Sequence, residues 1–375
     1  MNDRDSNTRA FKMNSHLSNR ALRERKRKRR QIVLITLMSL LALSLIVSVI
    51  VICGELASGG GGEDTSPNVP ASVTTMGDTT AGGETTPAAD ETTGGTEGYT
   101  VKLMTADDVH RGELILVDTS HAYVFPASDA TLIDLRSSRS EKWGTSASGN
   151  MIHSYSCSFD VKLNAVAAKN LNNMIDDFYD ATKNQDVYFP QGSGYRDAAA
   201  QDTLHASKPG AEAPGGYSEH HTGLTVDFRA WLDNNSYPYP YISASEDASC
   251  VQIYTWLNTN CYKYGFIQRY PQSKSSVTKS SHYADHYRYV GYPHALAMMR
   301  NDLCLEEYLT VLATRHPYTG THYIMNGDDG VTYEIYYVPA ATGEGATTSV
   351  PVPTDMPYTI SGNNYDGFIV TITRK

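Results

Sequence analysis

The stretch SEHHTGLTVD at residues 218–227 decides which fold and which chemistry this chain is expected to have. It sets the imidazole of His220 and the carboxylate of Asp227 seven residues apart. Gly223 lets the chain turn between them, and the apolar–polar alternation that runs on to Arg229 predicts a strand with one face in the core. An inward carboxylate on a strand is costly unless it is paired or binds a metal. The stretch therefore indicates a metal site, although by itself it also fits a surface loop with Asp227 capping a turn.

A second block, HYRYVG at residues 286–291, supplies a further imidazole at His286, about sixty residues further along the chain. Two histidines and one aspartate are a common ligand set of catalytic zinc sites, which use three protein ligands and keep the fourth position for water. The two blocks together are therefore typical of a catalytic zinc site.

Four further segments occur in a fixed order around these blocks: SGYR at 193–196 with Gln201 five residues after the arginine, YGFI at 264–267, RYP at 269–271, and Lys274. In this order and spacing they resemble the D-alanyl-D-alanine carboxypeptidases of the VanY type, zinc peptidases of bacterial cell-wall metabolism. The resemblance covers about residues 105–310, with LCLEEYL at 303–309 as a closing helix. It implies an α+β zinc D,D-peptidase-like domain, with an antiparallel sheet and flanking helices.

The resemblance also implies roles for single residues. It makes His220, Asp227 and His286 the ligands of a Zn²⁺ cofactor. The reaction that follows is metal-assisted amide hydrolysis at the D-Ala-D-Ala end of a peptidoglycan stem peptide. An L,D-carboxypeptidase or an endopeptidase acting on the same polymer is an alternative within the enzyme class.

A substrate clamp is the second implied feature. Arg196 is expected to bind the terminal carboxylate of the peptide, helped by Gln201 and Ser218. A guanidinium makes bidentate, geometry-fixing bonds to a carboxylate, which agrees with this role. The competing interpretation of Arg196 is a structural salt bridge.

One position departs from the family pattern. The family has a Glu as general base three residues before its third ligand, and counting back from His286 gives Tyr283 there. A phenol is a poor base near neutral pH, although it can donate a hydrogen bond to a developing oxyanion. Asp285 is the nearest carboxylate, but adjacent residues of an extended segment face opposite ways, and His282 is a further candidate. Two other hypotheses therefore stay open: a pseudopeptidase that binds zinc and wall peptide with little or no turnover, and a structural wall-binding protein whose metal only stabilises the fold.

The N-terminal third predicts an anchor and a spacer. Residues 1–31 carry a net charge of about +8, and residues 32–53 contain no charged side chain, a length sufficient to cross a bilayer. Residues 54–99 are rich in Gly and Thr and predict a disordered linker. These features predict a single-pass cell-membrane protein with a cytoplasmic N-terminus and an extracytoplasmic catalytic domain. The rest of the chain then carries about −18, which argues against a nucleic-acid partner.

The remaining chain is expected to divide into a carboxypeptidase-like domain at 100–313 and a β-rich extension at 314–375. Apolar residues at helical spacing predict a helix over 165–182. Cys250 and Cys261 are the cysteines that could pair across a helix. Other expected elements are a strand at 114–117, helices at 251–264 and 293–313, and strands at 333–338 and 367–372.

Overall fold

The computed structural model describes residues 98–127, 131–232, 235–237, 248–280, 283–343 and 345–374. Residues 92–375 group by their contacts into one compact unit that mixes helices and sheets. The helices are α1 (Ala165–Thr182), α2 (Ala198–Ser207), α3 (Ala248–Asn260), α4 (Ser275–Thr278), α5 (Tyr292–Asn301) and α6 (Leu305–Arg315). Short 3-10 turns lie at Asp107–His110, Glu219–Thr222, Cys261–Tyr264 and Gln272–Lys274.

Fifteen strands occur in the part of the chain that the structure describes: β1 (Tyr99–Thr105), β2 (Leu132–Asp134), β3 (Ser156–Cys157), β4 (Lys162–Asn164), β5 (Val187–Phe189), β6 (Thr225–Asp227), β7 (Arg229–Leu232), β8 (Asn235–Tyr237), β9 (Phe266–Tyr270), β10 (Tyr283–Tyr289), β11 (Tyr323–Asn326), β12 (Thr332–Pro339), β13 (Thr347–Pro353), β14 (Tyr358–Gly362) and β15 (Gly367–Arg374). They form sheets in the orders β6-β10-β9, β3-β5-β7-β8, β2-β4, β11-β12-β15-β14 and β1-β13. All pairs are antiparallel except β3 with β5, which are parallel.

The β6-β10-β9 sheet positions the predicted ligands. β10 is its central strand, and its register with β6 places His286 directly opposite Asp227. Directly opposed residues of antiparallel strands have neighbouring side chains. The two blocks that are far apart in sequence therefore meet through ordinary strand pairing.

The helix predicted over 165–182 is confirmed as α1. Its inward face is fully buried and consists of Leu171, Met174, Ile175 and Phe178, in one core with Val226, Phe266 and Tyr287 of the β6-β10-β9 sheet. Asn164 begins the helix by accepting a hydrogen bond from the Val166 amide, as a good N-cap does. Burial of this stripe holds the sheet in place beneath the pocket.

The C-terminal strands pack on the last two helices. A second apolar cluster joins Leu296 of α5 and Leu309 of α6 to Ile335 of β12 and Ile369 of β15. The strands expected at 333–338 and 367–372 lie within β12 and β15. The proposed division of the chain near residue 313 stays a prediction.

Two expectations about local structure are wrong. Residues 114–117 are buried but form no strand, because side chains such as Ser361 and Arg288 bond their backbone groups instead of a neighbouring strand. The helix expected over 293–313 is divided into α5 and α6, since Asp302 adopts a left-handed conformation (φ 50°) that ends α5. No disulfide joins Cys250 to Cys261 in the described structure, so the pairing that the sequence left open is not formed.

The predicted cell-membrane localisation is also corrected. No helix of the described residues is long and apolar enough to span a bilayer. Segment 32–53, on which the prediction rested, lies outside the described residues, as do the tail at 1–31 and nearly all of the linker at 54–99.

Candidate metal centre and substrate pocket

The three predicted ligands converge. The Nε2 atom of His220 lies 3.4 Å from Oδ2 of Asp227, and Nδ1 of His286 lies 2.9 Å from Oδ1 of the same carboxylate. One potential ligand atom from each residue falls within 4.8 Å of the others, and this is the cluster found among the described residues that could hold a metal ion. Both imidazoles are buried. The geometry brings together all three residues that the sequence indicated.

Outer hydrogen bonds decide which imidazole nitrogens face the centre. Nδ1 of His220 donates to the Gly194 carbonyl at 2.7 Å, so its Nε2 lone pair points to Asp227. On the opposite ring, Nε2 of His286 faces Oε2 of Glu219 at 3.4 Å, which leaves Nδ1 for the centre. Metal-bound histidines typically donate their other ring N–H to a carbonyl or carboxylate in this way. Two imidazoles and one carboxylate held so suit Zn²⁺.

Glu219 is a functional residue that the sequence analysis missed. It is fully buried, and its Oε1 accepts hydrogen bonds from Nε of Arg269 at 2.8 Å and from Nη1 of Arg288 at 3.1 Å. Burial acts to raise the pKa of Glu219, but the two guanidinium groups outweigh it and hold the pKa well below its usual range. Arg269 in turn makes a bidentate pair with Glu306 of α6. The carboxylate beside His286 is therefore a fixed anion.

The pKa values of His220, Asp227 and His286 depend on one another because their charges lie close together. Burial, then the charge of Arg196, lowers the pKa of His220 to about 4. For His286 burial acts in the opposite direction to its two carboxylate partners, Asp227 and Glu219, which prevail and raise the pKa to about 9. Without a cation, a proton on His286 thus satisfies Asp227. Cation binding at the three ligands must release that proton.

The centre opens into a pocket of about 410 Å³. Every described residue that the sequence predicted to act at the site lines this pocket except Gln201. Other lining residues are Lys208, Ala211, Glu212, Ala213, Tyr217, Glu219, Arg229, Tyr270 and Ser280. The pocket is therefore lined by charged groups of both signs.

Arg196 is held in place by the protein. Its Nε donates to Oε1 of Gln201 at 2.7 Å and its Nη1 donates to the Gly192 carbonyl at 2.6 Å. Nη2 lies 3.8 Å from a carboxylate oxygen of Glu212, a longer and partly exposed pair. Gln201 is fully buried and also donates to the Ala213 carbonyl. Gln201 thus orients the guanidinium instead of lining the pocket.

Ser218 sits at the pocket wall and begins the 3-10 turn that carries His220. Its Oγ accepts a long hydrogen bond from the His220 amide at 3.4 Å. The side chain is buried and lines the pocket. Its contact with the ligand turn gives it a positioning role in the structure.

Tyr283 and Asp285 differ in what their side chains contact. The Tyr283 hydroxyl donates to the Ala211 carbonyl, tying the loop that carries Glu212 to β10. Burial, followed by repulsion from Glu212, raises the pKa of Tyr283. No described side chain hydrogen-bonds the Asp285 carboxylate, and burial, then the charge of Asp227, raises its pKa to about 6.

The pairing of β10 with β9 explains why Asp285 reaches the pocket. Tyr283 pairs with Tyr270 and Tyr287 pairs with Gln268. Between these two pairs β10 advances by four residues while β9 advances by only two. Such an irregularity breaks the alternation of side chains. Asp285 and His286, although adjacent, both line the pocket. The expectation that they face opposite ways is wrong for this reason.

The fold and the site define a mixed helix-and-sheet protein with a candidate metal centre, and comparison with known proteins gives the family. The family model described as "VanY: D-alanyl-D-alanine carboxypeptidase" matches residues 160–292. A D-alanyl-D-alanine carboxypeptidase of Enterococcus faecium is 31% identical over 297 residues, covering 75% of this chain and 82% of the relative. A second D-alanyl-D-alanine carboxypeptidase, from Enterococcus faecalis, is 32% identical over 165 residues, or 36% of this chain and 52% of the relative.

A solved structure agrees with the sequence relatives. The vancomycin-resistance D,D-dipeptidase VanXYg, in complex with a D-Ala-D-Ala phosphinate analogue, matches with a TM-score of 0.58 and 25% identity. The match covers 74% of this chain and 99% of that one. This chain belongs to the VanY-type D-alanyl-D-alanine carboxypeptidase family, as its motifs predicted.

Proposed function

We propose that this protein is a zinc-dependent D-alanyl-D-alanine carboxypeptidase that acts on peptidoglycan stem peptides. The observation that carries the proposal is the meeting of His220, Asp227 and His286 with the Arg196 guanidinium in one pocket. The E. faecium relative, which aligns over most of both chains, supports the choice of D-Ala-D-Ala as substrate.

The ligands and the clamp divide the work between them. Zinc held by the three ligands supplies Lewis acidity for the scissile carbonyl and lowers the pKa of a water molecule. Arg196 binds the terminal carboxylate of the peptide, and Gln201 and the Gly192 carbonyl fix the direction of its guanidinium. Because that guanidinium lies 3.7 Å from Asp227, the last peptide bond of a clamped substrate lies beside the ligands.

Asp285 is the general base in this proposal. It lines the pocket next to His286, and no described side chain engages its carboxylate. It accepts a proton from the attacking water and returns it to the departing amine. Tyr283 cannot take this role while its hydroxyl donates to the Ala211 carbonyl.

A second candidate function is a pseudopeptidase that binds zinc and peptide with little turnover. Tyr283, at the position of the family's Glu, is the observation that favours it. An endopeptidase is less favoured, because an Arg196 clamp built for a free carboxylate has no use in the middle of a chain. An L,D-carboxypeptidase would share the clamp and differ only in the residue before the scissile bond.

One experiment separates these functions. The purified full chain, loaded with zinc, is incubated with a pentapeptide ending in D-Ala-D-Ala, with the same peptide amidated at its C-terminus, and with the tetrapeptide that ends in a single D-Ala. Release of D-Ala from the free pentapeptide alone supports the proposal. Binding of the pentapeptide without release supports the pseudopeptidase, and release from the tetrapeptide alone supports the L,D-activity. Cleavage of the amidated peptide contradicts the Arg196 clamp.

A further inference from the structure

Arg229 is a cation of the pocket to which the functions above give no role. Its side chain lines the same pocket as the metal ligands. Among the described residues it makes no hydrogen bond and no ion pair, and its Nε is buried without any partner. Buried polar groups are nearly always hydrogen-bonded, so an exception in a binding pocket calls for an explanation.

Its place on the chain directs Arg229 toward the substrate. Alternate residues of an extended segment share a face, and Arg229 follows Asp227 by two positions. Phe228, between them, is fully buried in the core and faces the other way. The guanidinium therefore extends the face that carries the metal ligand, farther along the same stretch of chain.

The two arginines of the pocket differ in how many hydrogen bonds and ion pairs their guanidinium groups make with the protein. Arg196 is engaged by Gln201, by the Gly192 carbonyl and, at longer range, by Glu212 and Asp227. Among the described residues Arg229 has no such partners, and it forms no ion pair there with Asp285, although its positive charge favours the ionised form of that carboxylate. The pocket thus contains one guanidinium that other residues hold in place, Arg196, and one that has no described partner, Arg229. Two such cations suit a ligand with two anionic groups.

We propose that Arg229 binds a second carboxylate of the substrate, on the side chain of the residue that precedes the D-Ala pair. The inference rests on the proposed function, in which Arg196 takes the terminal carboxylate. The departing D-Ala has no other acidic group, so a second carboxylate must lie upstream of the scissile bond. The chain thereby selects stem peptides that are acidic at that residue over neutral ones.

The simplest competing explanation is that Arg229 only offsets the negative charge of Asp227 and Asp285. That role would affect all substrates alike. The two explanations are separated by paired peptides that differ in one group: acetyl-Glu-D-Ala-D-Ala carries the carboxylate, and acetyl-Gln-D-Ala-D-Ala replaces it with a carboxamide of the same shape. The measured quantity is the ratio of their kcat/KM values with the zinc-loaded full chain.

The native protein is expected to prefer the Glu peptide by about tenfold or more, as for other hydrogen bonds between charged groups. Arg229→Gln should bring the two peptides to equal kcat/KM, whereas Arg229→Lys, which keeps the charge but not the fork, should retain part of the preference. Lys208→Gln is the matched control, since it removes an exposed positive charge from the same pocket and should leave the ratio unchanged.

Absence of a preference in the native chain, or a preference that survives Arg229→Gln, overturns the inference. A ratio that Lys208→Gln abolishes equally well shows a general effect of charge and also overturns it. If the native chain hydrolyses neither peptide, the proposed function fails by itself. The subsite is then judged by the calorimetric affinities of the two peptides, which must show the same ratios.

Discussion

The Glu219 carboxylate lies 3.4 Å from the Nε2 atom of His286 through Oε2, and its other oxygen accepts hydrogen bonds from two buried arginines. The Glu219 carboxylate is thus ionised, and it orients the imidazole of His286, the third candidate ligand of the metal site. Substituting such an outer partner typically lowers metal affinity by about 10–100-fold. We expect Glu219→Gln to weaken zinc binding by that amount, as measured by competition with a chromophoric chelator.

Glu212→Gln is the matched control for that experiment. Glu212 is a carboxylate of the same pocket, but its charge faces Arg196 and no hydrogen bond joins it to a ligand imidazole in the described structure. Its zinc affinity should stay within a factor of about two of the native value. Equal losses in both variants would show that pocket charge, and not the contact with His286, sets the affinity.

Zinc content gives the most direct check of the ligand set. The full chain should bind about one zinc ion, and His220→Ala or His286→Ala should abolish binding because two protein ligands hold zinc poorly. His221→Gln should retain the metal, since both nitrogens of His221 bond to backbone groups, the Arg196 carbonyl and the Gly216 amide. Elemental analysis that finds no zinc in the native, metal-replete chain contradicts the proposed function.

The assignment of Asp285 as the general base is tested by removing its carboxylate and by introducing a carboxylate at position 283. Asp285→Asn should lower kcat by about 10²–10⁴-fold, the usual contribution of a positioned base. Tyr283→Glu restores the family's residue and should raise D-Ala release well above that of the native chain.

Tyr283→Phe serves as the control for the base experiment, because it removes only the hydroxyl that holds the Ala211 carbonyl. Its effect shows how much of any change comes from releasing that loop. A native rate that is insensitive to Asp285→Asn and falls in Tyr283→Glu would falsify the assignment. His282, which lies outside the described residues, would then be the next candidate.

His294 predicts how stability depends on pH. This residue of α5 is fully buried, hydrogen-bonded to Tyr308 and Thr371, and burial lowers its pKa to about 3. Below pH 6.5 His294 is therefore protonated in the unfolded chain but stays neutral in the folded chain. The free energy of unfolding falls as the pH falls toward 3. The slope is about 1.4 kcal/mol per pH unit, or about 2 kcal/mol between pH 6.5 and pH 5.

Urea unfolding at pH 7.5, 6.5 and 5.0 measures this dependence. The readout is the difference between the native chain and His294→Gln, because the other titrating groups are common to both. The variant should be less stable at pH 7.5 but lose less stability on acidification. Parallel curves for the two proteins would contradict a neutral, buried His294.

Local patterns and strand pairing made much of the site predictable. The ligands His220 and Asp227 lie in one short motif, and His286 lies in a strand that pairs with the strand of Asp227. The stripe of α1 repeats at helical spacing, so its buried face could also be predicted. In each case the determining signal is contained in a few consecutive residues.

The features that were missed depend on contacts between distant residues. Glu219 gains its role from Arg269, Arg288 and, through Arg269, from Glu306, and no short window of sequence contains that set. The placement of Asp285 depends on an irregular register between β9 and β10, which alternation rules cannot foresee. Residues 114–117 look like a strand by composition, but their backbone is bonded by side chains from elsewhere.

The charged network behind His286 sets how short a working fragment of this protein can be. The family model ends at residue 292, whereas Arg269 needs Glu306, and Arg288 donates to the carbonyls of Glu113 and Ile115. In a fragment cut to 160–292, the buried guanidinium groups of Arg269 and Arg288 would share the Glu219 carboxylate. They would lack the acceptors outside the fragment, which are Glu306 and the carbonyls of Glu113 and Ile115. Shortened versions of this protein should therefore keep residues 113–306.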